Sequence, residues 1–157
     1  MTTLAIGCDE AACALKETIK AHLAARGIAV QDFGTHDDQP VLYPDVAIAV
    51  AERVAAGEID RAILLCGTGI GMAISANKVP GIRAAQTHDT YSAERAARSN
   101  DAQIITLGAR VVGPELAKAI VDTFLASSFD GGRSIPKVEA IAAYEASLGH
   151  GAARAAG

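Results

Sequence analysis

The chain has no tryptophan, and aromatic residues make up only 4% of its 157 positions. Half of the residues are apolar, rich in alanine and isoleucine. That composition excludes a disordered chain and places the core in aliphatic side chains. Cysteines number three, an odd count with no metal-ligand spacing, which excludes a disulfide-stapled scaffold and argues for free thiols in a reducing compartment. Positive charge is not in surplus: the formal charge of −4 gives no electrostatic reason to expect nucleic acid or an anionic membrane as partner. No apolar run approaches the length of a membrane span. The start, Met1 to Ile6 and then Asp9-Glu10, lacks a basic segment followed by a long apolar one, so no signal peptide is expected and the cytoplasm is the expected compartment.

Short apolar runs alternate with helical patterns along the chain. Leu4 to Cys8 reads as a buried strand, followed by a helix from about Ala12 to Arg26 that stops at Gly27. Ile28-Ala29-Val30 leads a second strand ending near Phe33-Gly34, and a helix from about Tyr43 to Ala56 follows a polar loop. Ala62 to Cys66 is the clearest strand, continuous and apolar as in a parallel sheet covered on both faces. Further strands are expected at Ile82–Ala85 and Ile104–Leu107, with a helix at about Tyr91–Ser99 between them, and closing helices at about Pro114–Ala126 and Pro136–Leu148. Strict alternation of this kind predicts a single α/β domain, Rossmann-like and doubly wound, with a five-stranded parallel sheet flanked by helices over residues 1–149. The Gly/Ala-rich stretch 150–157 is expected to be a flexible tail. Ligands of such sheets bind beyond the carboxyl ends of the strands. That rule selects Cys8-Asp9-Glu10, the segment Cys66 to Gly71, and the residues after Ala85.

Cys66-Gly67-Thr68-Gly69-Ile70-Gly71 is the most informative of these segments. It is no P-loop, because the G-x-x-x-x-G-K-[ST] order is absent, and the dinucleotide fingerprint fails because its third glycine position holds Met72. A nucleotide loop and a tight turn without function both remain open on this segment alone. What such a loop supplies is a nest of backbone N–H groups at a helix start, which stabilises negative charge. The same field favours the thiolate of a cysteine at the strand end. A thiolate beside oxyanion donors suits removal of a proton next to a carbonyl, the amides holding the enediolate oxygen. The alternative for Cys66 is an inert buried thiol, the ordinary state of a free cysteine and the reading taken for Cys8 and Cys13.

Gly7-Cys8-Asp9, the Cys66–Gly71 loop, Ser75-Ala76-Asn77-Lys78 and Gly81-Ile82-Arg83 together resemble the family of type B ribose-5-phosphate isomerases and the galactose-6-phosphate isomerase subunits LacA and LacB. So do Tyr91-Ser92-Ala93, Ser99-Asn100-Asp101, Gly108 to Gly113, and Gly132-Arg133. The resemblance covers about residues 3 to 145 in one order. It implies an aldose–ketose isomerase acting on small sugar phosphates through an enediolate, with no metal and no cofactor. It also implies a homodimer with active sites shared between subunits, pairing into tetramers left open. Cys66 takes the place of the family's base in one subgroup; the other subgroup uses a glutamate where this chain has Met72. Gly67, Gly69, Ile70 and Gly71 then form the anion hole, with Thr68 near the sugar oxygens. Asp9, Glu10, Tyr43, Ser99 and Asn100 fall in the substrate pocket, and Arg110, Arg133 and Lys137 hold the phosphate. Without the resemblance, these three cations read as ordinary surface charge.

Three positions depart from the ribose pattern: Asp9-Glu10 stands for Asp-His, Ser99-Asn100 for His-Asn, and Lys137 for an arginine. In the ribose enzymes the replaced histidine opens the furanose ring before the proton moves. Ribose 5-phosphate is the family's default substrate. A tetrose 4-phosphate carries phosphate on the oxygen that would close that ring and needs no such acid. Ser99 therefore points to D-erythrulose 4-phosphate and D-erythrose 4-phosphate, and the run Thr87 to Ala96 resembles the erythritol branch of the family. His88, after the fourth strand, is the candidate replacement acid if ribose 5-phosphate is used after all; the alternative is a solvated loop histidine. A silent sugar-phosphate-binding subunit is a further alternative, opposed by the intact Cys66, Thr68 and glycine loop. A flavodoxin-like or nucleotide-binding module accounts for the sheet but leaves the cysteine and arginines unexplained.

Overall fold

A computed structural model describes residues 2–149; the expected tail at 150–157 lies outside the described residues. Its strands are β1 (Leu4–Cys8), β2 (Gln31–Asp32), β3 (Arg61–Cys66), β4 (Ala84–Gln86) and β5 (Ile104–Gly108). Its α-helices are α1 (Cys13–Ala25), α2 (Tyr43–Ala55), α3 (Ile70–Ala76), α4 (Thr90–Asn100), α5 (Pro114–Leu125) and α6 (Ile135–Leu148). All strand pairs are parallel, in the order β2-β1-β3-β5-β4, so the expected five-stranded parallel α/β sheet is what forms. The chain passes from β3 to the edge strand β4 and returns to place β5 between them.

Alternation along the strands sorts the core into two layers. Leu4, Ile6, Ile63, Leu65, Ile105 and Leu107 pack with α1, α4 and α5. Ala5, Ala62, Leu64, Cys66 and Ile104 pack with α2 and α3. Burial on both faces explains why β3 and β5 read as unbroken apolar runs. Cys66 thus leaves the sheet on the α2–α3 side.

Two expected strands differ in extent. β2 contains only Gln31 and Asp32, while Ile28 and Val30 pack against the core from an irregular segment. Edge position is the reason: hydrophobic anchoring needs burial and not pairing. β4 begins two residues later than expected, because Arg83 gives its N–H to the Gln103 side chain at 2.8 Å. The closing helix, α6, contributes no buried residue and exposes Ile135, Ile141, Tyr144 and Leu148. Among the described residues no helix is long and apolar enough to cross a membrane.

Candidate active site

Cys66 ends β3 with 5% of its surface exposed. The chain turns sharply after it, with Gly69 at φ +78° and so close to β5 that a Cβ there would lie 2.9 Å from the Leu107 carbonyl carbon. The turn carries the Gly69 N–H to Cys66 Sγ, to which it donates at 3.0 Å. Ile70 N–H donates to Thr68 Oγ1 at 3.2 Å. Two of the amides expected to line the anion hole are therefore engaged with Cys66 and Thr68. Among the described residues the amides of Thr68 and Gly71 have no partner. Gly108, opposite Cys66 in the sheet, is required because a Cβ on it would lie 2.7 Å from Thr68 Cα.

Asp9 follows β1 and donates its N–H to the Leu65 carbonyl at 3.1 Å, which sets it beside the end of β3. Its Oδ1 accepts Ala11 N–H at 3.0 Å. Burial, reinforced by the neighbouring Glu10, pushes the Asp9 carboxyl above its ordinary value, against the pull of Ala11 N–H and of Arg110. Glu10 accepts Val41 N–H at 3.2 Å and so ties this turn to the segment ahead of α2. Arg110 donates its N–H to the Gly67 carbonyl at 3.0 Å, and its Nη1 lies 3.2 Å from where a Cβ on Gly67 would sit. Tyr43, at the start of α2, lays its ring over Gly71. His88 Nε2 accepts the Gly108 N–H at 3.1 Å, an arrangement that places the ring proton on Nδ1.

The other two thiols differ in setting: Cys13 is only partly buried and donates to the Asp37 carbonyl at 2.9 Å. Cys8 is fully buried, and burial followed by the neighbouring Cys13 pushes it up to about 12. No group of three or more His, Cys, Asp or Glu side chains able to hold a metal ion occurs among the described residues.

Four expected site residues are not brought to Cys66 within one chain. Ser99 and Asn100 end α4, where Ser99 Oγ accepts from Arg95 Nη1 at 3.4 Å and Asn100 Nδ2 donates to the Arg95 carbonyl at 3.0 Å. The Asn100 carbonyl accepts from Arg83 Nε at 3.0 Å, just ahead of β4. This is the amino-terminal edge of the sheet, since Gln103 pairs with Ala62 at the beginning of β3. Four residue steps along β3 separate Ala62 from Cys66, roughly 13 Å. Arg133 and Lys137 stand in the short turn Gly132–Ser134 and in α6, and the segment before them is tied to the end of α4 through Asp130 N–H to the Arg98 carbonyl at 3.1 Å. One chain thus carries two half-sets: Cys66, Thr68, Asp9, Tyr43, His88 and Arg110 at one edge, and Ser99, Asn100, Arg133 and Lys137 away from it.

Two supporting residues escaped the sequence reading. Thr106 Oγ1, buried in β5, donates to the Gly69 carbonyl at 2.7 Å, and Gln86 Nε2 donates to the Thr68 carbonyl at 2.8 Å. A threonine inside an otherwise apolar strand was a signal for the first; the sequence carried none for the second.

Comparison with known proteins agrees with this geometry. A family model described as Ribose/Galactose Isomerase matches residues 4–141. A ribose-5-P isomerase B of Listeria innocua is 56% identical over 136 residues, covering 87% of this chain and 92% of that protein. A D-erythrulose-4-phosphate isomerase of Pectobacterium atrosepticum is also 56% identical, over 147 residues, covering 92% and 96%. The solved structure of a ribose-5-phosphate isomerase B from Clostridium thermocellum superposes with a TM-score of 0.91 at 48% identity, covering 94% of this chain and 99% of that one. The chain therefore belongs to the ribose/galactose isomerase family, whose chemistry is aldose–ketose isomerisation of small sugar phosphates.

Proposed function

We propose that the chain interconverts D-erythrulose 4-phosphate and D-erythrose 4-phosphate, with Cys66 as the base. The observation that carries the base assignment is the Gly69 N–H held on Cys66 Sγ at 3.0 Å, a donor that favours the thiolate. The thiolate removes a proton from C1 of the ketose, the C2 oxygen becomes the enediolate oxygen, and the proton returns to C2 as the hydroxyl proton moves from O1 to O2. Bonds and protons balance without a redox partner. The free amides of Thr68 and Gly71 are the donors available to the enediolate. Asp9 accepts from sugar hydroxyls, and Arg110 offers its guanidinium to the phosphate.

Ser99 carries the choice of substrate. A hydroxyl with an ordinary alcohol's acidity cannot open a furanose ring near neutral pH, and an open-chain tetrose phosphate does not require it. The relatives include one named for each substrate, so family membership leaves this choice to the residues. His88 favours the second reading, ribose 5-phosphate to ribulose 5-phosphate: it stands at the Cys66 edge and keeps a proton on Nδ1.

The two half-sets of site residues are reconciled by a homodimer. A second copy would bring its Ser99, Asn100, Arg133 and Lys137 to the Cys66 edge of the first, and α6, which buries no residue of its own though its Glu145 accepts Gly81 N–H at 2.6 Å, leaves Ile141, Tyr144 and Leu148 exposed for a partner. Three free thiols, one of them the base, fit the reducing cytoplasm.

The test is turnover of D-erythrose 4-phosphate and of ribose 5-phosphate by reduced protein and by Cys66→Ala. Preferred turnover of the tetrose, lost by ~10²–10⁴-fold in the variant, is the expected result. Preferred turnover of ribose 5-phosphate, lost in His88→Asn, establishes the second reading instead. Binding of sugar phosphate without turnover of either identifies a silent subunit.

A further inference from the structure

Two hydrogen bonds at opposite ends of one peptide unit connect an exposed residue of β4 to the thiol of Cys66. Gln86 Nε2 donates to the Thr68 carbonyl at 2.8 Å. The N–H of the same peptide unit, on Gly69, donates to Cys66 Sγ at 3.0 Å. The peptide is trans, so its C=O and N–H point in opposite directions across a rigid plane. Holding the carbonyl outward on Gln86 therefore aims the amide inward at the sulfur.

The plane needs such a clamp. Its orientation depends on ψ of Thr68 and φ of Gly69, and a glycine tolerates φ of either sign, so this unit can rotate where others cannot. On the far side of Gly69 the next carbonyl is already fixed by the buried Thr106 Oγ1 at 2.7 Å. With both carbonyls held, the Gly69 amide has one direction left. Without Gln86 the Thr68 carbonyl is satisfied by water from any direction, and the amide is no longer committed to the thiol.

We infer that Gln86 is a positioning residue that keeps the Gly69 N–H on Cys66 Sγ and thereby stabilises the thiolate. It acts through the backbone, bonding the Thr68 carbonyl and not the sulfur. Its consequence for catalysis rests on Cys66 being the base; its effect on the thiol does not.

The experiment uses the full chain with Gln86→Met, which removes the donor at similar length, and Gln86→Glu, which turns an ionised acceptor towards the Thr68 carbonyl. Alkylation of Cys66 by iodoacetamide is followed on its own peptide by mass spectrometry as a function of pH, beside kcat and KM for D-erythrose 4-phosphate. In Gln86→Met the pH of half-maximal alkylation rate moves upward, and kcat near neutral pH falls about 3–10-fold with KM little changed, the scale of one hydrogen bond. Gln86→Glu moves both further in the same direction. An unmoved alkylation midpoint in both variants overturns the inference, even if the melting temperature drops, because a purely structural role leaves the thiol as it was. A moved midpoint with unchanged kcat upholds the inference about the thiol and removes Cys66 as the base.

Discussion

The ring of Tyr43 occupies the space that a side chain at residue 71 would need, its hydroxyl 2.8 Å from the position of a Cβ on Gly71. Gly71, the second residue of α3, is thus a seat for a tyrosine from α2, and the two elements join beside the turn that follows Cys66. Gly71→Ala must push the half-exposed ring aside. With Tyr43 in the proposed substrate pocket, displacement of about 1 Å can cost ~10²-fold, so kcat/KM is expected to fall 10- to 100-fold. The melting temperature should change little, since the ring moves into solvent and not into the core. Steady-state kinetics and a thermal melt on this variant check both halves.

Asp9 is held at a cost to the fold. Its carboxyl lies above the ordinary value because burial and Glu10 disfavour the charge. Ionisation is therefore less favourable in the folded chain than in the unfolded one, and the penalty sets in as pH rises through the carboxylate range. Asp9→Asn keeps the cap on Ala11 N–H and lacks the penalty. It should melt above the parent at pH 7, the advantage vanishing at pH values below about 4, where both states are protonated. Turnover should drop ~10-fold or more, because a neutral amide replaces a charged acceptor.

Lys16 and Asp32 make the opposite case. Lys16 is fully buried and donates to both Asp32 oxygens, at 2.8 and 2.9 Å, and to the Thr35 carbonyl at 2.7 Å. Burial pushes the Asp32 carboxyl up, but Lys16, Lys20 and Gly34 N–H override it and hold the group at about 2. The stabilisation is complete above the ordinary carboxylate value and is lost as pH falls from about 4 through 2. With the side chain partly open to solvent, about 1–2 kcal/mol is at stake. The stability gap between the parent and Asp32→Asn, from urea unfolding, should shrink by that amount between pH 5 and pH 2.

The proposed homodimer with shared sites makes a prediction about mixtures. Cys66→Ala and Arg133→Ala should each be nearly inactive alone. In a mixed dimer one site combines both defects and the other is fully intact, if Cys66 and Arg133 of one site come from different subunits. Unfolding and refolding the two variants together should then restore about a quarter of parental activity, by random pairing of protomers. No recovery would place both residues in one chain.

How much of this could be read without coordinates differs from element to element. β3 and its cysteine were plain, because burial on both faces leaves an apolar run that no surface element shows. The edge that carries Cys66 followed from the same pattern, since parallel strands that alternate with helices present their loops on one side. The extent of β2 was not legible: Ile28 and Val30 carry a strand's composition but are anchored by burial alone. The order of strands was hidden as well. Nothing local distinguishes β5 beside β3 from β4 beside β3, yet only the first arrangement sets Gly108 against Thr68 and gives its N–H to His88.

The sequence by itself determined the fold class and the family, and it singled out Cys66 as the proposed base. These rest on residue types and on periodicities of two and 3.6, which are written along the chain. Only the tertiary structure decided that the Gly69 amide is committed to Cys66, that Gln86 and Thr106 hold the turn, and that Ser99, Asn100, Arg133 and Lys137 lie away from the thiol of their own chain. The direction of a peptide plane and the separation of two edges of a sheet are set by which strands become neighbours, and that is settled when the whole core closes.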